Sequence, residues 1–229
     1  MEQVNIAGLC GTVAEAPQKH QNVYGQSDVY ALWLDTERDS GTKDRVLVLF
    51  QANKIDGESI GAYPADAFTS EELVELIAAG SRIEVSGCLQ KRKDKTTGHN
   101  QLFVWAHHLA AAQKDKGQFN TVYITGKIAR KPMYRETPLG KNITDIVLRI
   151  PSIFTKDFYS HVSCIAWKNL AKKAAELPEG TVVYMEGRLQ SREYIKRREE
   201  GVETLTTWEV SAYKLEVEEQ KEGNQSNGN

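Results

Sequence analysis

The side chains best equipped for chemistry in this sequence are cations set among aromatic rings in its second half. Candidate cations are Lys127, Arg130, Lys131, Arg135, Lys141, Lys156, Arg188, Arg192, Lys196, Arg197 and Arg198. Arg188, Arg192 and Lys196 are favoured because they neighbour Tyr194, whose charged flanks read as exposed. A positive groove that tracks phosphates, with rings that stack on bases, is how proteins hold single-stranded nucleic acid. Glu199 and Glu200 follow directly and weaken the run as a phosphate clamp. Catalytic patterns are missing: there is no Walker loop, no His-Glu-x-x-His and no Gly-x-Ser-x-Gly. His107 and His108 are adjacent, so on a strand they point to opposite faces and make a poor metal pair. Cys10, Cys88 and Cys164 are scattered and odd in number, which fits neither a disulfide framework nor a zinc site. The expectation is a non-enzymatic chain with no cofactor and no metal.

Charge is unevenly placed. The 229 residues carry a net charge of -2. Residues 1–117 hold 12 Lys/Arg against 16 Asp/Glu, whereas 118–217 hold 16 against 12. The two halves thus differ in sign, and a difference in task is expected. Hydrophobic residues make up 40% and charged residues 26%, an ordinary globular balance. No apolar run approaches the roughly 18 residues a membrane helix needs. Met1–Ala7 has neither the basic nor the apolar region of a signal peptide, so a cytoplasmic, membrane-free protein is expected.

The chain repeats itself. Gly11-Thr12-Val13-Ala14 lies 115 residues before Gly126-Lys127-Ile128-Ala129, and Pro17/Pro132 and Gly25/Gly140 keep that offset. Gly80–Gln90 parallels Gly180–Gln190 at offset 100, and Leu102/Trp105 match Leu205/Trp208 at offset 103. Ordered landmarks of this kind mark two copies of one unit. The expected division is 1–112, a linker at 113–118, 119–217, and a disordered polar tail at 218–229.

Each copy reads as strands with one short helix. In the second, strands are expected at 121–129, 143–150, 161–167, 181–190 and 205–217, with a helix at Asn169–Leu177 stopped by Pro178-Glu179-Gly180. Pro138–Lys141 is a turn, and Ser191–Thr204 is a long β-hairpin arm. In the first copy, strands are expected at 4–14, 29–36, 45–51, 82–90 and 101–111. The helix falls at Ser70–Ala79, and Asn53–Thr69 is an extra loop. Three strands, a helix and two strands is the order of the OB-fold, a five-stranded Greek-key barrel. The fold class expected is therefore all-β: two tandem OB-folds with one short helix per repeat.

Three segments of the second copy, Asn120–Pro132, Cys164–Ala171 and Val183–Tyr194, resemble the opening strand, third strand and fourth strand of the bacterial single-stranded DNA-binding proteins. The primosomal replication protein N group is a close competitor. The first copy resembles the family only through its Gly-x-Val start and Gly80–Gln90, as a diverged duplicate would. The resemblance implies non-specific binding of single-stranded DNA in replication, repair or recombination. It places stacking aromatics at Phe154, His161, Trp167 and Tyr194. His161 stands where the family often has Phe or Trp, and Phe158 or Tyr159 can substitute for it. Trp33, Phe50 and Trp105 of the first copy read as core, so the second copy is expected to carry most of the affinity. Family members usually bring four OB-folds together, which implies a homodimer of this tandem chain. The tail lacks the family's acidic tip with a closing apolar residue, which points to an accessory protein rather than a hub for replication or recombination partners. The alternative reading is a protein-interaction or primosome-accessory module with weak or no nucleic-acid binding, since fold does not fix function.

Overall fold

The computed structural model describes residues 2–51, 74, 77–93, 98, 100–113, 115, 117–137, 139–198 and 201–218, the side chains of 194–198 and 203 excepted. Of the expected helix at Ser70–Ala79, residues 70–73, 75 and 76 lie outside the described residues, as do the loop at Asn53–Thr69 and the tail beyond 218. Val74 is helical, whereas Ile77, Ala78 and Ala79 form a bend and turn, so the helix does not reach Ala79.

Among the described residues the chain forms eleven strands, most of them alternating apolar runs. They are β1 (Asn5–Lys19), β2 (Val29–Glu37), β3 (Lys43–Gln51), β4 (Arg82–Lys93), β5 (Asn100–Ala111), β6 (Phe119–Ile128), β7 (Met133–Glu136), β8 (Asn142–Pro151), β9 (Tyr159–Trp167), β10 (Val182–Arg198) and β11 (Gly201–Val217). Pairings β1–β2, β2–β3, β3–β5, β5–β4 and β4–β1 close one five-stranded barrel. Pairings β6–β8, β8–β9, β9–β11, β11–β10 and β10–β6 close a second in the same order. In each, only the third and fifth strands run parallel. Each is the expected OB barrel. Inward residues such as Leu9, Leu34, Val48 and Leu89 in the first, and Ile124, Leu148, Val162 and Met185 in the second, are buried.

Close approach fixes the strand that crosses each barrel. A Cβ on Gly87 would lie 2.1 Å from the Trp105 carbonyl oxygen, and one on Gly187 2.6 Å from that of Ser211. Both glycines sit beside a β-bulge, where the ladder bends round the barrel. The helix α1 (Lys168–Ala175) follows β9, buries Ala171 and Ala174, and accepts a 2.7 Å bond from Thr144 Oγ1 at the Ala171 carbonyl.

Two elements differ from expectation. β1 continues past Pro17 to Lys19, with two register shifts on the way, because a proline is tolerated where the ladder is already irregular. β7 pairs with β8 as a short hairpin. Its Met-Tyr-Arg-Glu side chains are exposed or half-buried, so no alternation announced it.

The two barrels join through an antiparallel β1–β6 ladder with pseudo-twofold symmetry. Asn5 lies opposite Ile124, and Asn120, the counterpart of Asn5, lies opposite Leu9. Each asparagine continues its own barrel's ladder by side chain. Asn5 Nδ2 donates to the Leu89 carbonyl (3.0 Å) and its Oδ1 accepts from the Leu89 N–H (2.9 Å). Asn120 does the same with Leu189, both at 2.8 Å.

Candidate nucleic-acid interface

The same symmetry exchanges the arms. β10 of the second barrel passes over β3 of the first: the Ser191 N–H donates to Asp44 Oδ1 (3.0 Å), and the Arg45 N–H donates to Ser191 Oγ (3.1 Å). β4 of the first barrel passes over β9 of the second: the Lys91 N–H donates to Ser160 Oγ (3.2 Å). Ser160 is the counterpart of Asp44, and Lys91 of Ser191. Each barrel's outer face is therefore flanked by the other's arm.

On the second barrel, alternation along β6, β8 and β9 sends Lys127, Arg149, Tyr159 and His161 outward, and all four are exposed. Lys127 is directly opposite Arg149, and Arg149 directly opposite His161. The Arg149 guanidinium lies 4.7 Å from the centroid of the Tyr159 ring. Arg130 bears on Lys91, whose ammonium is held below the ordinary lysine value by burial first and by Arg130 second.

The corresponding row of the first barrel is Thr12–Asp35–Arg45. Here Arg45 grips Asp35 with two bonds of 2.8 and 2.9 Å. Register aligns Asp35 with Arg149, so the charge is inverted between the barrels.

Beside the second barrel's face runs an aromatic seam. Tyr24 stacks on Phe154 (5.0 Å between centroids) and tilts against Phe158 (6.3 Å), and Phe154 meets Trp105 edge-on at 4.8 Å. The Tyr24 hydroxyl donates to the Lys91 carbonyl at 2.6 Å. Burial raises the pKa of this phenol, an effect that Arg92 opposes. Tyr24 and Gly25 have φ of 49° and 79°, the two positive values of a type I′ turn. For tyrosine this costs on the order of 1–3 kcal/mol, strain of the kind that collects at functional sites.

The expected site residues divide. Tyr159 and His161 share the open face. Trp167 is further along the same face of β9, half-buried, with Nε1 donating to Ser211 Oγ at 3.0 Å. Phe154 is not on the open face: it is half-buried against Tyr24 and Trp105, joining the barrels. Arg188 is half-buried near Arg38 and Asp44 of the first barrel, away from the seam, with a buried Nε that has no hydrogen-bond partner among the described residues. Burial and Arg38 push its pKa down. Arg192 is exposed, 3.6 Å from Glu209. The side chains of Tyr194 and Lys196 lie outside the described residues; their backbone continues β10 beyond Ser191. Phe50 and Trp105 are buried as expected, whereas Trp33 stacks on Trp208 at 5.8 Å across the barrels. Sequence reasoning missed Arg149 and Tyr24. Arg149 could have been found from the alternation of β8, where it is the outward residue between Leu148 and Ile150.

The comparisons agree with this geometry. Residues 119–218 match the model of the Single-strand binding protein family. The chain is 30% identical over 112 residues to Single-stranded DNA-binding protein A of Bacillus subtilis, covering 45% of this chain and 62% of that protein. It is 29% identical over 117 residues to Single-stranded DNA-binding protein 1 of Staphylococcus aureus, covering 48% and 66%. The chain thus spans just under two thirds of these relatives. The wild-type single-stranded DNA binding protein of Thermus aquaticus superposes with a TM-score of 0.66 at 22% identity, covering 96% of this chain and 95% of that one. That likeness spans both barrels and shows the shared fold. The residues that match the family model, 119–218, are those of the second barrel.

Proposed function

We propose that this chain binds single-stranded DNA with little sequence preference, acting stoichiometrically rather than as an enzyme, in replication, repair or recombination. The observation that carries the reading is the row Lys127–Arg149–His161 beside Tyr159. Like charges placed directly opposite on neighbouring strands cost stability. None of the ion pairs described involves Lys127 or Arg149. A polyanion would neutralise the pair, and Tyr159 offers a ring to a base. Trp167 extends this surface. Arg192, Tyr194 and Lys196 belong to the second barrel's arm, Phe154 supports the site from the seam, and Arg188 lies by Arg38 and Asp44 of the first barrel.

The family and the relatives' names support single-stranded DNA as the ligand. The division into domains at 1–112 and 119–217 follows the two closed barrels. A homodimer of four barrels, located in the bacterial cytoplasm and on the nucleoid, is the assembly that fits. The outer face of the joined sheet leaves Ile6 and Tyr213 exposed at 49% and 59%, near Tyr123 and Tyr184. A second copy would cover them through the same self-complementary arrangement.

Titration of a fluorescent oligo(dT) into the intact chain at low and moderate salt tests the reading. Tight, salt-sensitive binding that Arg149→Glu weakens supports it. No binding at low salt overturns it and leaves the protein-interaction reading. Light scattering at twice the chain mass checks the dimer.

A further inference from the structure

A groove lies beside each arm, one between the first barrel's residues 21–25 and Phe158 of the second, the other on the first barrel's face, and the two grooves are not equivalent. One is bounded by Tyr24, Arg92, Lys93 and Phe158, with no carboxylate among its described lining residues. The other is lined by Lys43, Arg45 and Arg192, matched in number by Glu15, Asp35 and Glu193. Their volumes are similar, about 530 and 610 Å³, so size does not separate them. Charge and closure do. In the second groove Arg45 is spent on Asp35, and Arg192 faces Glu209. Trp208 stacks on Trp33 and donates its Nε1–H to the Arg45 carbonyl at 2.7 Å, so the rings on that side are engaged with each other.

From this asymmetry we infer that each chain offers one single-strand path instead of two, and that the first barrel supplies part of it. The path crosses the second barrel's face at Lys127, Arg149 and Tyr159. It then continues onto the first barrel's arm at Lys91 and Lys93, beside Tyr24 and Phe158. The Lys91 N–H bond to Ser160 sets that arm directly against the residues flanking Ser160, which are Tyr159 and His161. The first barrel's own face stays empty, because Asp35 and Arg45 neutralise each other there, whereas Arg149 takes part in none of the ion pairs described. This inference rests on the single-stranded DNA reading above and assigns its site.

The experiment compares the intact chain, the double variant Lys91→Gln/Lys93→Glu, and Lys43→Glu from the opposite groove. Each is titrated with oligo(dT) of about 16 nucleotides, the upper end of one OB barrel's site, across a salt series, with thermal melting as the folding check. Native mass spectrometry counts oligonucleotides per chain. The expected result is one oligonucleotide per chain. The arm variant should bind more weakly, with a log–log salt slope shallower by about 1.4, two contacts at about 0.7 each. Lys43→Glu should match the parent. Two oligonucleotides per chain, or a slope changed by Lys43→Glu and not by the arm variant, overturns the single path while leaving single-strand binding intact. Failure of the parent to bind at low salt overturns both.

Discussion

Lys127 on β6 and Arg149 on β8 stand directly opposite each other, both exposed, on adjacent antiparallel strands. Cross-strand pairs contribute roughly 0.2–1 kcal/mol when the charges are opposite and oppose folding when they are alike. Lys127→Glu should therefore raise stability by about 0.2–1 kcal/mol while weakening oligo(dT) binding. Denaturant unfolding and titration of the same sample check both signs. A variant that gains neither stability nor loses affinity contradicts a ligand-facing role for the row.

Tyr159 lies under the Arg149 guanidinium and is 40% exposed, so one part of its ring remains available. Tyr159→Ala should weaken binding by about 1–3 kcal/mol if it stacks on a base, with a nearly unchanged salt slope, since no phosphate contact is removed. Equilibrium titration at two salt concentrations separates stacking from charge.

Phe154→Ala should act on the fold first. Its ring fills the junction between Tyr24 and Trp105, and it is half-buried. The expected loss is about 2 kcal/mol, below the roughly 3–5 of a fully buried phenylalanine. That corresponds to a fall of roughly 4–8 °C in Tm for a chain of this size. Differential scanning calorimetry reads it.

Asn5→Ala and Asn120→Ala should cost similar amounts, on the order of 1–3 kcal/mol each, because each leaves a backbone N–H and a carbonyl without partners. Matched losses in chemical unfolding would show that the two-fold arrangement is energetic as well as geometric. Unequal losses would show that one barrel dominates the join.

Partial burial holds His107, whose side chain is still exposed at the surface, below the usual imidazole value of 6.5. Between that lowered value and 6.5 the unfolded chain binds more protons than the folded one. Stability should therefore rise with pH through this window, and this contribution should be lost as pH falls through it. His107→Gln should flatten the profile of unfolding free energy just below the usual imidazole value. An unchanged profile would mean that the imidazole is solvated.

The barrels were legible in the sequence because their signals are local. Alternation at Ile143–Ile150 gave β8, and Pro178–Gly180 follows the helix, which already ends at Ala175; the bends at glycines 87 and 187 fall within the repeat Gly80–Gln90 and Gly180–Gln190. The hairpin arm at Ser191–Thr204 is continuous paired strand from Ser191 to Trp208, apart from its tip. The site was legible only in part. Tyr159 and His161 lie on one open face, but the neighbours of Phe154 and Arg188 come from the other barrel, 130 residues away in the case of Phe154 and Tyr24. No periodicity within one copy reports which surface the other copy covers. The exchange of arms, and with it the role of Lys91, follows from the β1–β6 ladder, a pairing between copies that neither copy encodes alone.

That ladder lies within one polypeptide. Two separate identical subunits joined this way would have to place the same residue at both corresponding positions, so any mutation would strike both at once. Here Asp35 and Arg149 occupy one position of the pattern, and Asp44 and Ser160 another. Covalent continuity makes the pairing independent of dilution and lets the halves drift apart in sequence while their backbones stay matched. A single chain can thus hold one working face and one silent face, a division of labour closed to a symmetric pair of identical chains.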